Sequence, residues 1–302
     1  MEQTQDSRGF PYQWCNLYPG KQYISVNNKW LYPCPPTAAP LPLPPDQEVI
    51  KVHRKHIARI VLEHDFSIVS KTGFGIRPPE AEAMKLVIQH TSVPVAKVVW
   101  ADFTGSEIDN NPEYKGTIHM TTISGICLEG KWEGLGAKSK ESICRQIWSL
   151  SCQWREIPRP LELDDTFQCA ADGSPSRDPM LQDLNNPPLP LTNDAKLRAR
   201  IYERYLHYGG RQYERTLPDV LPRSYRSVFT HGDIAARNIM VDDDNNVIGI
   251  LDWEFAGWYP DYWEYAQIMK PSYHGDFQDW MGRTAPQAWD ITGINAARKV
   301  LF

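Results

Sequence analysis

Residues 228–254 read V-F-T-H-G-D-I-A-A-R-N-I-M-V-D-D-D-N-N-V-I-G-I-L-D-W-E. Val228, Phe229 and Thr230 carry strand-type side chains, and His231-Gly232-Asp233 interrupts them. Ile239-Met240-Val241 and Val247 to Leu251 are two β-prone runs, separated by Asp242 to Asn246. The pattern predicts a hairpin whose second strand delivers Asp252 at its end. Asp and Asn favour turns on their own account, and Asp242 to Asn246 are assigned no other role. Turn chemistry does not account for Asp233, Asn238 and Asp252 taken together.

Their spacing matches a chemical requirement. Phosphoryl transfer needs a carboxylate near the attacking hydroxyl and oxygen ligands that hold Mg²⁺ against nucleotide phosphates. Kinase catalytic loops set the base Asp and a metal-binding Asn five residues apart, with a second metal-binding Asp after the next hairpin. Asp233, Asn238 and Asp252 reproduce that order, with His231-Gly232-Asp233 standing where protein kinases have H-R-D and Asp252-Trp253-Glu254 where they have D-F-G.

H-G-D-x-x-x-x-N followed by I-x-x-x-D resembles the aminoglycoside phosphotransferase and choline kinase group. Residues 250–265, I-L-D-W-E-F-A-G-W-Y-P-D-Y-W-E-Y, are most similar to its fungal small-molecule branch. The resemblance runs from about Val49 to the C-terminus. It implies an α+β, protein-kinase-like fold in two lobes: a small antiparallel-sheet lobe with one helix, and a mostly helical lobe, with ATP in the cleft. It also implies transfer of the γ-phosphoryl group to a hydroxyl of a small molecule. Asp233 would accept or orient the hydroxyl proton, and Asn238 and Asp252 would hold Mg²⁺. A strand lysine paired with a helix glutamate meets the phosphates in such enzymes. Lys71 and Glu80 occupy those positions, with Glu82 as a competitor for Glu80. Adenine would pair with the backbone around Met120 and Thr122, in a stretch implied to be the hinge. Arg237, in a string that also resembles the tyrosine-kinase loop, would orient substrate or stabilise the transferred group; its structural alternative is to satisfy loop carbonyls. One departure stands out: residues 46–72 contain no glycine, so no Gly-rich loop covers the phosphates, and Glu63 to Ser67 is the candidate in its place.

Outside this unit the chain reads as follows. Residues 1–45 are taken as an arm, whose segment 33–45 holds seven prolines and should be extended polyproline II. Residues 46–122 are the expected first lobe and 123–302 the second. Gln47 to Ile60 is a helix or a strand pair. Phe66 to Lys71 should be a strand ending at Lys71, with Thr72 to Gly75 a turn. Pro78-Pro79 opens a helix carrying Glu80, Met84, Val87 and Ile88 on one face. Pro94 to Trp100 and Gly116 to Ile123 are further strands. Residues 139–157 form a helix with Ile143, Ile147, Leu150 and Trp154 as its stripe and Ser139 as N-cap. Residues 158–192 are irregular and border the substrate cleft if long-loop habits hold. Asp194 to Tyr208 is a helix with Leu197, Ile201, Tyr205 and Leu206 inward. Pro260 should open another helix, with its rings in the core and Asp261 and Glu264 either structural or facing a cationic substrate. Residues 271–302 make a polar, partly helical tail.

A net charge of −5 argues against a nucleic-acid binder. No apolar run approaches the ~18 residues of a membrane span. The polar N-terminus lacks a signal-peptide core, and six cysteines form no C-x-x-C pair, so a reduced, cytoplasmic protein is expected. Two rival functions fit the same residues: a nucleotide-binding pseudokinase or scaffold, motivated by the glycine-free segment, and a protein kinase, motivated by A-A-R-N. The second lacks the D-F-G and A-P-E landmarks.

Overall fold

The structure is a computed structural model that describes residues 17–27, 30–35, 43–55, 59–64, 67–104, 115–271 and 275–301. The chain forms two compact units, Met1–Arg77 with Lys97–Thr122, and Pro78–Ala96 with Ile123–Phe302. The fold is α+β.

The first unit is built on a seven-stranded sheet: β1 (Gln22–Val26), β2 (Trp30–Pro33), β3 (Gln47–Lys55), β4 (Arg59–His64), β5 (Ile68–Phe74), β6 (Val98–Thr104) and β7 (Lys115–Thr121). The order is β2-β1-β3-β4-β5-β7-β6, and every pair is antiparallel. β3 alternates in the way a half-buried strand must: Ile50 and Val52 are buried while Lys51 and His53 face out. Leu17, Tyr23, Leu31, Ile50, Val52 and Leu62 close a small core.

Several expectations change here. The sheet begins before residue 46, because β1 and β2 pair with each other and β1 pairs with β3. Of the two readings for Gln47 to Ile60, the strand pair is the one found, with Gln47–Lys55 in β3 and Arg59 and Ile60 in β4. β5 does not stop at Lys71 but runs to Phe74, since Gly73 and Phe74 continue the ladder opposite Gly116 and Lys115. β6 starts at Val98, four residues later than Pro94. Most of the proline-rich segment (36–42), and residues 65–66 of the expected phosphate-covering stretch, lie outside the described residues.

The second unit holds the helices α1 (Pro78–His90), α2 (Leu128–Trp132), α3 (Ala137–Arg155), α4 (Asp194–His207), α5 (Leu217–Val220), α6 (Trp263–Ile268), α7 (Phe277–Thr284) and α8 (Thr292–Leu301). Its strands are β8 (Ile126–Cys127), β9 (Cys169–Ala170), β10 (Ser227–Thr230), β11 (Ile239–Val241), β12 (Val247–Ile250) and β13 (Gly257–Pro260), arranged as two small sheets, β10-β13-β9 and β12-β11-β8. The expected hairpin is β11–β12. Helix α1 is attached to this unit through the chain that follows it: Ser92 donates to Gln153 Oε1 at 2.8 Å, and Pro94 O accepts from Ile250 N–H at 2.9 Å.

α3 starts two residues earlier than expected, with Gly136 and not Ser139 at its N-cap. Its inward stripe is Ile143, Cys144, Ile147, Trp148, Ser151 and Trp154, and Leu150 sits at its edge. Ile88 and Leu206, both expected inward, are exposed. Pro260 ends β13 and does not open a helix; α6 begins at Trp263. β13 runs so close to β9 that a Cβ on Gly257 would lie 2.2 Å from Cys169 O, which is why glycine stands there.

The core is aromatic. Tyr205, Tyr259, Tyr262 and Trp263 join one cluster with Leu197, Ile201 and Ile294. Phe229 meets Trp258 edge-on at 5.2 Å, and Trp154 meets Trp253 edge-on at 5.6 Å. Such pairs contribute roughly 0.5–1.5 kcal/mol beyond area burial.

One surface anchor makes a pH-dependent contribution. Asp276 Oδ1 accepts from Lys140 Nζ and Trp132 Nε1, and Oδ2 from Trp280 Nε1, each at 2.8 Å. Lys140, then the two indoles, hold its carboxyl at about 2, against burial acting the other way. A depressed folded-state pKa contributes stability above the unfolded value near 4, and that contribution is lost as pH falls towards 2. The side chain is 45% exposed, so the contribution is screened to roughly 1 kcal/mol or less. Asp276→Asn should therefore melt slightly below wild type at pH 7, with the gap closing between pH 4 and pH 2. A gap that is constant with pH would mean that the carboxylate's charge is not what matters.

Candidate active site

The catalytic-loop candidate starts where β10 ends. Gly232 has φ +81°, and a Cβ there would meet Phe255 O at 2.9 Å, so the turn and the close approach both call for glycine. His231 is fully buried. Its Nδ1 accepts from Asp233 N–H at 3.1 Å, and its Nε2–H donates to Leu251 O at 2.9 Å. A ring nitrogen that accepts from a backbone amide carries no proton, so His231 is the neutral Nε2–H tautomer. It is a strut between the loop and the end of the hairpin, not a proton carrier. Trp253 packs on its ring with centroids 4.5 Å apart.

Beneath the loop lies Glu264 of α6, with no exposed surface. Its Oε2 accepts from His231 N–H at 2.7 Å and from Trp154 Nε1 at 3.1 Å, and its Oε1 accepts from Gly232 N–H at 3.1 Å. Glu264 therefore does not face a substrate. It takes up two loop amides that have no strand partner and binds them to α3 and α6. Asp261 is half-buried, and its Oδ1 lies 2.7 Å from Ser224 Oγ, whose single proton is shared with Arg226 O.

Asp233 and Asn238 meet as the five-residue spacing requires. Asn238 Nδ2 donates to Asp233 O at 2.8 Å and to Asp233 Oδ2 at 3.0 Å. With the amide nitrogen spent on Asp233, the amide oxygen is the atom Asn238 has for a cation. Arg237 donates from one guanidinium nitrogen to both carboxylate oxygens of Asp233, at 2.8 and 2.6 Å. Arg237 bonds this carboxylate and not the loop carbonyls of the structural alternative.

The hairpin then carries the chain to Asp252. Leu251 N–H donates to Asn238 O at 2.8 Å, which ties the strand end to the loop. Asp252 has φ +64°, a strained conformation for a residue with a side chain. Its carboxylate, with those of Glu80 and Glu254, forms a group whose oxygens all lie within 4.8 Å of one another. Glu80 is buried and the other two half-buried. The three carboxylates lie close enough to share one cation, and an all-oxygen set suits a hard ion such as Mg²⁺ or Ca²⁺. The donor set fits the expected metal. The sequence pattern gives Glu254, the last residue of D-W-E, no role of its own. Its signal is the i, i+2 spacing from Asp252 across a buried tryptophan.

In the first unit, Lys71 lies in the middle of β5, only 9% exposed, opposite Val61 and Ile118. Lys97, the other strand-region lysine, is exposed. Met120 sits in the ladder between Val69 and Val98. Thr122 N–H already donates to Ser67 O at 2.8 Å, so it is not a donor for a base. Its Oγ1, buried and without a hydrogen-bond partner, is the polar atom at this position that a ligand would satisfy.

No helix among the described residues is long and apolar enough to cross a membrane. The five described cysteines are all free thiols. Burial and the field of Asp276 push Cys144 up to about 12, which makes it a core residue without reactivity.

A family model described as the phosphotransferase enzyme family (APH) matches residues 77–294. No curated protein matches the chain. Among solved structures, APH(2")-IIa in its gentamicin complex is 15% identical, with a TM-score of 0.52 over 83% of this chain and 80% of that one. A mutant of aminoglycoside 2'-phosphotransferase-IIIa in complex with GDP is 12% identical, with a TM-score of 0.51 over 83% and 80%. A GDP and kanamycin complex of an APH(2") enzyme is 14% identical, with a TM-score of 0.50 over 82% and 80%. At these identities the likeness is one of fold.

Proposed function

Because the chain belongs to the APH phosphotransferase enzyme family, we propose that it moves the γ-phosphoryl group of ATP, with Mg²⁺, to a hydroxyl of a small molecule. What supports this most is one local arrangement. Asp233 and Asn238 are bonded to each other across the five-residue spacing, and Asn238 is bonded in turn to the strand end that leads to Asp252 and Glu254, which cluster with Glu80 of α1.

Asp233 receives or orients the proton of the acceptor hydroxyl. Asn238, through its amide oxygen, and Asp252 hold the metal, with Glu254 and Glu80 as further oxygen donors. Mg²⁺, when bound, neutralises charge on the nucleotide phosphates. Lys71 meets the phosphates, and the buried hydroxyl of Thr122, beside Met120, faces the base. His231 and Glu264 act only by keeping Asp233 where it is. The chemistry then rests on position and charge, without a covalent intermediate. Several structural relatives carry GDP, so GTP belongs beside ATP in any test.

The first test is thermal stabilisation by ATP and by GTP, each with and without Mg²⁺. Millimolar nucleotide with Mg²⁺ should raise Tm, and the rise should shrink when Mg²⁺ is withheld. Absence of any rise with either nucleotide would go against every nucleotide reading. Lys71→Met keeps most of the apolar stem and removes the charge. It should need roughly 10- to 100-fold more ATP for the same stabilisation, the worth of one charge-assisted hydrogen bond. Lys97→Ala should leave the curve unchanged. The reverse result would mean that the wrong lysine has been assigned.

A further inference from the structure

The carboxylate assigned as base is already engaged. Arg237 holds both of its oxygens, and Asn238 holds one of them a second time. The pair lies near the surface of its unit, with 38% of the Arg237 side chain and 19% of the Asp233 side chain exposed. Oδ1 carries a single bond, so an acceptor hydroxyl can reach Asp233 beside Arg237. Both bonds from Arg237 come from one guanidinium nitrogen, and the five donors of its planar fork let it take a second anion alongside the first.

The surrounding charges favour an anionic neighbour. Lys270 is half-buried and close enough to Asp233 and Arg237 for their charges to act on it. Behind Lys270 lie Arg298 and the fully buried Asp178, which accepts from Gln267 Nε2 at 2.6 Å and Met180 N–H at 2.8 Å. Burial pushes the Asp178 carboxyl up, towards its neutral form, and lowers Lys270. Glu264 is engaged by the loop amides. Among the groups that act on one another here, three are basic, Arg237, Lys270 and Arg298, and two acidic, Asp233 and Asp178.

We propose that Arg237 selects the acceptor: the substrate carries, close to its reactive hydroxyl, an anionic group, a carboxylate or a phosphate, which bonds the guanidinium nitrogens of Arg237 that Asp233 leaves unused. Asp233 accepts the hydroxyl proton as the acceptor oxygen bonds to the γ-phosphorus and the bond from that phosphorus to the β-phosphate oxygen breaks. The products are a phosphomonoester, ADP and the proton on Asp233. This inference rests on the phosphotransferase reading and narrows its acceptor to an acidic hydroxy compound. A polycationic amino sugar would meet the Arg237 guanidinium as repulsion.

The experiment incubates the full chain and Mg-ATP, labelled at the γ-phosphate, with a small-metabolite extract split on ion exchangers into anionic, neutral and cationic fractions. Label should enter organic products from the anionic fraction. With the product-forming fraction diluted in series, Arg237→Gln should need roughly 10- to 100-fold more of it for half-maximal rate, with kcat changed less. Arg237→Lys should fall between the two, and calorimetric Mg-ATP binding should be unchanged in both. Within the anionic fraction, phosphatase pretreatment separates the two sources: it abolishes labelling if the acceptor's anion is a phosphate and spares it if it is a carboxylate. Label confined to the neutral or cationic fraction, or wild-type concentration dependence in Arg237→Gln, overturns this inference and leaves the phosphotransferase reading standing. No label from any fraction overturns both.

Discussion

Asp233→Asn should bind Mg-ATP as wild type does and transfer phosphate more slowly by roughly 10²-fold or more, the range lost with a positioned base. The reason lies in which atoms hold the loop. Glu264 bonds the amides of His231 and Gly232, and His231 bonds the Asp233 amide, so the backbone does not depend on the Asp233 side chain. Asn238 keeps its bond to Asp233 O. What the substitution removes is the anionic oxygen that takes a proton and partners Arg237. Asp252→Asn should differ in kind, weakening Mg-dependent nucleotide binding itself, because its carboxylate belongs to the oxygen cluster and not to the acceptor side. Calorimetry of both variants with Mg-ATP, with their folding checked by circular dichroism, separates the roles. If Asp233→Asn lost nucleotide binding while folded, its assignment to the acceptor hydroxyl would fail.

Glu264→Ala should be the most damaging change outside the reacting residues. It strands three buried donors, the amides of His231 and Gly232 and the Trp154 indole. Each costs roughly 1–3 kcal/mol when unpaired, so unfolding free energy should fall by about 3 kcal/mol or more. In urea this appears as a lower midpoint with an unchanged slope. Whatever protein remains folded should turn over about 10²-fold more slowly, because the loop carrying Asp233 loses its footing. Glu264→Gln keeps one acceptor oxygen and sets an amide N–H against one donor, and it should lie between the two. Wild-type stability and rate in Glu264→Ala would show that the loop holds itself.

How much of this was legible in the sequence follows from how local each signal is. Asp233, Asn238 and the β11–β12 hairpin lie within twenty residues and are marked by turn chemistry and β-branched runs, and the structure puts them where the sequence pointed. β12 stops at Ile250, one residue short of the expected run, so Asp252 is the second residue beyond it, in a left-handed conformation that sequence pattern does not reveal. Glu264 was hidden because a carboxylate inside an aromatic run shows nothing of where it points; α6 is buried on nearly every side, so periodicity gave no face to it. β1 and β2 were missed because strands of four and five residues carry little pattern, though Asn27, at φ 53° between them, is the kind of turn residue that signals a hairpin. Pro260 misled through a rule that is sound for helix starts. A proline also suits a strand end, where its missing N–H is not needed.

The central claim is that this chain transfers a phosphoryl group to a hydroxyl and that Asp233 does so as the base. The most direct measurement is mass spectrometry of a small-metabolite extract after incubation with Mg-ATP and either the wild-type chain or Asp233→Asn. The account predicts a compound that gains one phosphate, with matching formation of ADP, in the wild-type sample and at most a trace of it with Asp233→Asn. Equal product with both proteins, or none with a wild-type chain that binds Mg-ATP, would contradict it.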